Sequence, residues 1–361
     1  MEKWRNKLSL AILSFGLMAL TPNFASAQYY DSCCEPYYNS CCDPCEWDPC
    51  ACREFEVGVD FLYWKPYVDN LNYGVIYDRD RAKFKKMCPD WEPGVRVMLA
   101  SPNAYCGWEL RGSWTYIESD DSSQTKAGEE EWVTSPLIHN AMILELGEEA
   151  DLFKKVEGSW NARYHEWDIL ASYNISCKEC HFFQPFFGVA GIFLDQDLKV
   201  EASGTISDIT SEAKVKWDSE YWGVGLRAGT HYEYHFSNCM RFFANAYGTI
   251  LAGEATIKND QFIEQISGTG ENIVERGFKD SENCHQMVPG YHLATGFIYD
   301  TCWCNWDFSF RLGYEFMNWH NIPNHRVFSG DDLNAGIGHS SSETTRTLGF
   351  HGLLAGLSVG F

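Results

Sequence analysis

The sequence predicts an all-β protein, a transmembrane antiparallel β-barrel of about ten strands, with roughly eight to twelve allowed by where the boundaries are drawn. Three observations predict it. The chain ends on an alternating strand with a terminal aromatic residue. It opens on an export signal that no membrane-length apolar run follows. The alternating segments between are joined by connections that are short and long in turn.

The final segment carries the clearest pattern. From His351 onward, Leu353, Ala355, Leu357, Val359 and Phe361 fall on one face, and Gly352, Leu354, Gly356, Ser358 and Gly360 on the other. A period of two is a strand, because successive side chains point to opposite faces. Bacterial outer-membrane barrels usually end in this way, so Phe361 is expected to act as the membrane-insertion signal that engages the barrel assembly machinery. On this segment alone, the edge strand of a sandwich is the alternative.

At the other end, Lys3, Arg5 and Lys7 precede an apolar run from Leu8 to Leu20, and Ala25-Ser26-Ala27 follows. A basic region, an apolar region and a small-x-small site make a secretory signal peptide, with cleavage expected after Ala27. The run is shorter than the ~20 residues a spanning helix needs. A membrane location then requires a closed barrel, the other architecture that satisfies its backbone groups in lipid. The expected organisation is a signal peptide over 1–27, a Cys-rich periplasmic segment over 28–53 and a barrel over 54–361. The barrel would sit in outer-membrane lipid of a Gram-negative-type bacterium.

Composition agrees. Aromatic residues make up 16% of the chain, including 14 Trp and 19 Tyr, enough to line both membrane interfaces. The net charge of −22 excludes nucleic acid as a partner, since phosphate binding needs the opposite sign. It suits acidic external loops and a cation-preferring lumen.

The strands follow in order. Phe55, Val57, Val59, Phe61 and Tyr63 oppose Glu56, Gly58 and Asp60; Val95, Val97 and Leu99 oppose Arg96. Trp108, Leu110, Trp114 and Tyr116 oppose Glu109, Arg111, Ser113 and Thr115. Segments 158–173 and 181–195 are strand-like, and within 214–230 Trp222, Val224, Leu226 and Ala228 alternate with Gly223, Gly225, Arg227 and Gly229. After 239–257 and 288–299, residues Trp306, Phe308, Phe310, Leu312, Tyr314 and Phe316 oppose Asp307, Ser309, Arg311, Gly313 and Glu315. The last strand covers about 346–361. Short turns are expected near Ser101–Ala104, Asn174–Cys180, Phe236–Cys239 and Asp300–Asn305, on the periplasmic side. Long external loops are expected near 66–92, 118–157, 196–213, 258–287 and 319–345. Opposite the apolar faces, Asp60, Arg96, Glu109, Arg111, Arg227, Asp307, Arg311 and Glu315 are expected to line the lumen, either setting selectivity or bracing the interior with salt bridges.

Cysteine supplies a separate signal. Of 15 in all, Cys33, Cys34, Cys41, Cys42, Cys45, Cys50 and Cys52 crowd into one short stretch. In an exported protein this reads as disulfide chemistry. Cys106, Cys177, Cys180, Cys239, Cys302 and Cys304 fall at or beside short turns and share that side, whereas Cys88 and Cys284 lie toward the outer loops. A periplasmic-side disulfide network is expected, within the chain, with further copies, or with other Cys-rich envelope proteins.

Other motifs read as structural. Cys177-Lys-Glu-Cys180-His181 matches a c-type haem attachment pattern but opens directly into a strand, and an oxidising compartment disfavours Cys42, Cys45, Cys50 and Cys52 as zinc thiolates. No cofactor and no metal are expected. His165-Glu166-Trp167-Asp168 is the one local His/carboxylate cluster, and alternation sends His165 and Trp167 opposite to Glu166 and Asp168. There is no nucleophile elbow, P-loop or zincin motif, so no enzyme is expected. The glycines of Gly223–Gly229 have the wrong spacing for a phosphate loop. The apolar stretch Ser135–Leu146, inside an acidic loop, reads either as a constriction folded inward or as rim packing.

Phe61-Leu62-Tyr63-Trp64-Lys65-Pro66 with Asp69-Asn70-Leu71-Asn72-Tyr73, then Gln184-Pro-Phe-Phe-Gly-Val-Ala-Gly191 and the closing Gly356-Leu-Ser-Val-Gly-Phe361, resemble the Legionella-type major outer membrane protein family. Its relatives include porin-like major outer membrane proteins of environmental chlamydiae, and the Cys-rich 28–53 segment is most like that side. The resemblance covers about 54–361. It implies a pore-forming outer-membrane barrel, disulfide-linked in chlamydia-type envelopes, with no catalytic residues. Taken with the residue pattern, the expected function is a porin for passive diffusion of small solutes. The alternative is a disulfide-cross-linked structural envelope protein or adhesin, because about ten strands enclose an interior narrow enough for side chains to fill.

Overall fold

The computed structural model describes residues 55–361 except 70, 79–80, 106–107, 140–152, 174–175, 179–180, 207, 238, 304–305, 324, 326, 329–340 and 343–344. The cleavage site, Cys33 to Cys52, Cys106, Cys180, Cys304 and the Cys177 side chain lie outside what is described.

Sixteen strands follow in chain order: β1 (Glu56–Val68), β2 (Asn72–Asp78), β3 (Arg81–Lys86), β4 (Glu92–Tyr105), β5 (Trp108–Lys126), β6 (Trp132–Thr134), β7 (Lys155–Tyr173) and β8 (Ser176–Lys178). They continue with β9 (His181–Ile206), β10 (Ile209–Ser237), β11 (Met240–Ser267), β12 (Asn272–Trp303), β13 (Trp306–Pro323), β14 (Val327–Phe328), β15 (Ser341–Ser342) and β16 (Thr345–Gly360). Ten of them, β1, β4, β5, β7, β9, β10, β11, β12, β13 and β16, pair antiparallel in that order. The seam between β1 and β16 closes the barrel, in register from Glu56 opposite Gly360 to Val68 opposite Leu348. Phe55 and Phe361 extend it by exchanging backbone hydrogen bonds of 3.1 and 3.0 Å.

Within the membrane the outer face is apolar because lipid is its solvent. Val57, Val59, Phe61 and Tyr63 on β1, Phe310, Leu312 and Tyr314 on β13, and Leu353 and Leu357 on β16 all point outward and are exposed. Aromatic rings border this band at both ends, as expected for interfacial girdles. On the long-loop side Tyr63 stacks on Trp91, Trp114 on Tyr116, and Tyr116 packs against His165. On the short-turn side Phe361 packs between Phe55 and Trp306, and Trp108 against Tyr173.

Beyond the outer girdle the pattern inverts. On β9 Leu198, Val200 and Ala202 are buried while Asp197, Lys199 and Glu201 face out; on β10 Ala213, Val215 and Trp217 face in while Lys214 and Lys216 face out. The expected long loops 196–213 and 258–287 are therefore corrected to strand. β9 runs to a two-residue turn with Asp208 at φ 67°, and β11 and β12 meet at a turn with Gly270 at φ 85°. Likewise β5 and β7 take the two ends of 118–157, running to Lys126 and from Lys155. Water replaces lipid as the outer solvent there, so the apolar side chains turn inward, and a search for apolar-out alternation passes over them.

A small sheet in the order β3-β2-β6 folds into the long-loop mouth. Leu71, Tyr73 and Ile76 are buried in one cluster with Val133, Leu137 and Ile138 and with inward-facing Val156 and Ala202 of the wall. Tyr73 lies over Gly158, where a Cβ would come within 2.5 Å of it, so only glycine lets the sheet seat.

Candidate functional site: the barrel lumen

Alternation on each strand delivers the lumen. Of the residues expected there, Asp60, Arg227 and Glu315 are buried, and Arg96, Glu109, Arg111 and Arg311 are half-buried, all on the inner face. They meet one another. Arg96 reaches Glu315 at 3.1 Å and Asp60 at 3.7 Å, and Arg311 reaches Asp60 at 3.0 Å. Gly356 stands in register between Asp60 and Arg311, and a Cβ on it would lie 2.0 Å from the Asp60 carboxylate. The missing side chain lets the ion pair cross β16. Trp64 Nε1 and His292 complete the partners of Glu315, at 3.0 and 2.9 Å. Arg111 and Gln184 both donate to Glu109, at 2.7 and 2.9 Å. Asp307 shares the inward phase of β13 but sits nearer the short-turn end, opposite Gly360 and Cys302 in register.

Residues not counted as lumen candidates complete the network. Arg227 binds Asp168 at 2.5 Å and also Glu166, donates to Thr249 at 2.9 Å, and lies over the Tyr247 ring at 4.3 Å. Glu166 and Asp168 do converge, on an arginine two strands away. Nearer the short turns, Arg241 links Glu233 at 2.7 Å to Asp300 at 2.8 Å, with His231 on Glu233 at 2.7 Å. The signal for these was present, since Glu233, Arg241, His292 and Asp300 lie in the inward phase of their strands. Each guanidinium has a carboxylate partner, so the charges brace the wall across strands. Between them remains a cavity of about 100 Å³, bordered by charged Asp60, Arg96, Arg111 and Asp168 and also by apolar Met98, Leu170, Phe186 and Phe243. At ~30 Å³ per molecule it has room for about three waters.

Toward the long-loop side the lumen becomes apolar and filled. Phe350 packs 5.6 Å from Trp64 and 5.1 Å from Tyr164. The Trp319 indole donates to the Tyr164 hydroxyl at 2.9 Å, and that hydroxyl donates to Glu166 at 2.5 Å. Ile117, Ile192, Leu194 and Leu348 fill the rest, and every one of these side chains is at most 2% exposed. Above them sits the β2–β6 lid. The described part of the apolar stretch 135–146 joins it. Leu137 and Ile138 are buried, Gln261 on β11 donates to the Leu137 carbonyl at 3.1 Å, and the His139 amide donates to Gln261 at 2.8 Å. Among the described residues no group of three or more His, Cys, Asp and Glu is placed to hold a metal.

An antiparallel barrel with an apolar belt, two aromatic girdles and a charged interior defines a porin-like β-barrel of the outer membrane. The chain belongs to the family described as Legionella pneumophila major outer membrane protein precursor, which it matches over residues 48–361. No curated protein is significantly similar to it. Among solved structures it is similar to the Escherichia coli outer membrane protease OmpT, at 7% identity and TM-score 0.41, covering 86% of this chain and 98% of that one. It is also similar to a major outer membrane protein from Thermus thermophilus, at 10% identity and TM-score 0.29, over 85% and 99% of the two chains. A third is the CymD monoaromatic hydrocarbon channel, at 9% identity and TM-score 0.31, over 85% and 88%.

Proposed function

We propose that the protein is a porin for small solutes whose lumen is closed in the state described above by the Trp64–Tyr164–Trp319–Phe350 plug. The observation that carries this reading is the polarity of the interior. A barrel serving only as an anchor would gain more from apolar packing, since buried ion pairs stabilise little more than they cost in desolvation. A charged inner half in series with an aromatic constriction suits conduction, with Arg96, Arg111, Arg311, Asp60 and Glu315 setting selectivity once the plug yields. Transport is passive. No catalysis is proposed, because Glu166, Asp168 and Glu315 are buried and held by arginines.

The rest of the proposal concerns assembly. The chain is exported by a signal peptide cleaved after Ala27 and inserted by the barrel assembly machinery, which reads the Phe361 end. Disulfides on the short-turn side bind it to itself or to other Cys-rich envelope proteins. In support of oxidation on that side, Cys239, in the β10–β11 turn, is disulfide-bonded within the chain; the bonds to other molecules rest on the crowding of cysteines in 33–52. Non-reducing electrophoresis of native envelopes should show cross-linked species, and monomer alone would sink the intermolecular part.

One observation favours a second reading, a structural barrel without transport: the plug side chains are as fully buried as those of a protein core. Single-channel recording in a planar bilayer separates the two. Rare, small steps from the natural protein and frequent larger ones from the Trp64→Ala/Phe350→Ala variant are expected of a porin. Silence from both, with heat-modifiable mobility proving a folded barrel, leaves the structural reading.

A further inference from the structure

The outward faces just beyond the long-loop girdle differ in charge around the barrel. The register row Tyr116, His165, Phe193 and Trp222 crosses β5, β7, β9 and β10 at the girdle, and two residues further out the row reads Glu118, Arg163, Asp195 and Glu220. Arg163 lies 3.7 Å from Glu118 and 3.8 Å from Asp195, so that sector stays acidic. At the seam that closes the barrel the same step is basic. Tyr63 and Leu353 pair across β1 and β16, and two residues further out Lys65 pairs with His351. Asp90 stands 4.0 Å from the Lys65 ammonium but is itself 90% exposed, so that pair contributes little. The His351 ring meets Trp91 edge-on at 5.5 Å, and the Tyr314 hydroxyl lies 2.6 Å from its Nδ1, which leaves Nε2 open. Lys86, at the foot of the β2–β3 hairpin, lies 5.6 Å from the ring centroid of outward-facing Tyr67, two residues beyond Lys65. The Tyr67 hydroxyl is hydrogen-bonded to Asp69, and among the described residues no carboxylate pairs with Lys86.

The level of these groups decides which anion they meet. With a rise of ~3.3 Å and a strand tilt of ~40°, Lys65 and His351 stand about 5 Å outside the girdle and Tyr67 about 10 Å. The headgroup layer extends roughly 5–8 Å beyond the hydrocarbon core on each side, so Lys65 and His351 lie within it and Lys86 at its outer edge. Immediately below, Leu353, Phe61 and Ala355 present an apolar wall to acyl chains.

We propose that the long-loop end of the β16–β1 seam binds the phosphate of an anionic lipid headgroup, with Lys65 and Lys86 as its cations and His351 Nε2 as a hydrogen-bond donor. The phosphate selects the tautomer in which the Tyr314 hydroxyl donates to Nδ1 and Nε2 carries the proton. Charge confines the lipid to this sector, because Glu118, Asp195 and Glu220 repel phosphate at the same step elsewhere on the wall. A lipid seated there touches both strands of the seam and ties the two ends of the barrel together. The site is independent of whether the lumen conducts.

Native mass spectrometry of the full-length protein in detergent, titrated with diphosphoryl lipid A or with phosphatidylcholine, provides the test. The natural protein should retain a single lipid A in preference to phosphatidylcholine, and inorganic phosphate should not displace it, since the apolar wall holds the acyl chains. Lys65→Gln/Lys86→Gln should weaken retention at least about tenfold through the loss of two charge-assisted contacts. Lys214→Gln/Lys216→Gln, on the upper half of β10, should leave it unchanged. Unchanged heat-modifiable mobility will show that both variants are folded. Equal retention by the Lys65/Lys86 variant, an equal loss in the β10 variant, no preference over phosphatidylcholine, or displacement by inorganic phosphate would each overturn the proposal.

Discussion

Arg227 shows how single residues hold this interior. It is 1% exposed and meets Glu166, Asp168, Thr249 and the Tyr247 ring together. Removing it leaves two buried carboxylates uncompensated, a loss of ~3–5 kcal/mol. Arg227→Met should therefore lower the urea midpoint of the refolded barrel, and Arg227→Lys should restore little, because a point charge cannot serve both carboxylates at once. Outside the membrane a second residue sets a pH dependence. Asp197 faces Asp218 across β9 and β10, and burial first, then the hydrogen bond and charge of Asp218, push its carboxyl up to about 6. A carboxyl raised on folding keeps a proton that the unfolded chain has released, so stability falls as pH rises from the ordinary carboxylate range to about 6. Asp197→Asn should raise the thermal midpoint above that pH and flatten its pH dependence. An unchanged profile would show the pair to be energetically silent. Individual lumen charges were legible as the inward phase of their strands. Their partners were not: Asp60 and Arg311 are 251 positions apart and meet only because β16 offers Gly356 between them.

At the scale of elements, each wall strand answers two solvents along its length. Val224, Leu226 and Ala228 on β10 face lipid, while Val215 and Trp217 on the same strand face inward, above the membrane. The lower halves of the strands were readable because lipid forces an unmixed apolar face. The upper halves look like polar loop to any reading that keeps one orientation. The lid is bound through one such upper half. Gly158→Val would force Tyr73 off β7, at a cost of ~1–3 kcal/mol for an overpacked contact. Limited proteolysis should then cut the 66–92 region faster while the barrel keeps its heat-modifiable mobility. Equal cleavage rates would show that Tyr73 does not anchor the lid.

Across the whole molecule, closure depends on the β1–β16 seam and occlusion on the plug. Burying each large aromatic or aliphatic side chain contributes ~1.5–3 kcal/mol, so the plug stabilises the barrel as well as closing it. Trp64→Ala/Phe350→Ala should therefore raise conductance and lower the urea midpoint together. A rise in conductance with the midpoint unchanged would mean that the plug closes the lumen without bracing it.

The sequence by itself determined the class of fold, the lipid-facing residues and the inward phase that gathers charge, because alternation against lipid is a local rule repeated on every strand. Only the tertiary structure decided that the lumen is filled. Filling depends on which inward residues of different strands come level, Trp64 with Phe350 and Tyr164, Arg227 with Glu166 and Asp168. Strand register and barrel closure fix those levels, and no periodicity within a single strand encodes them.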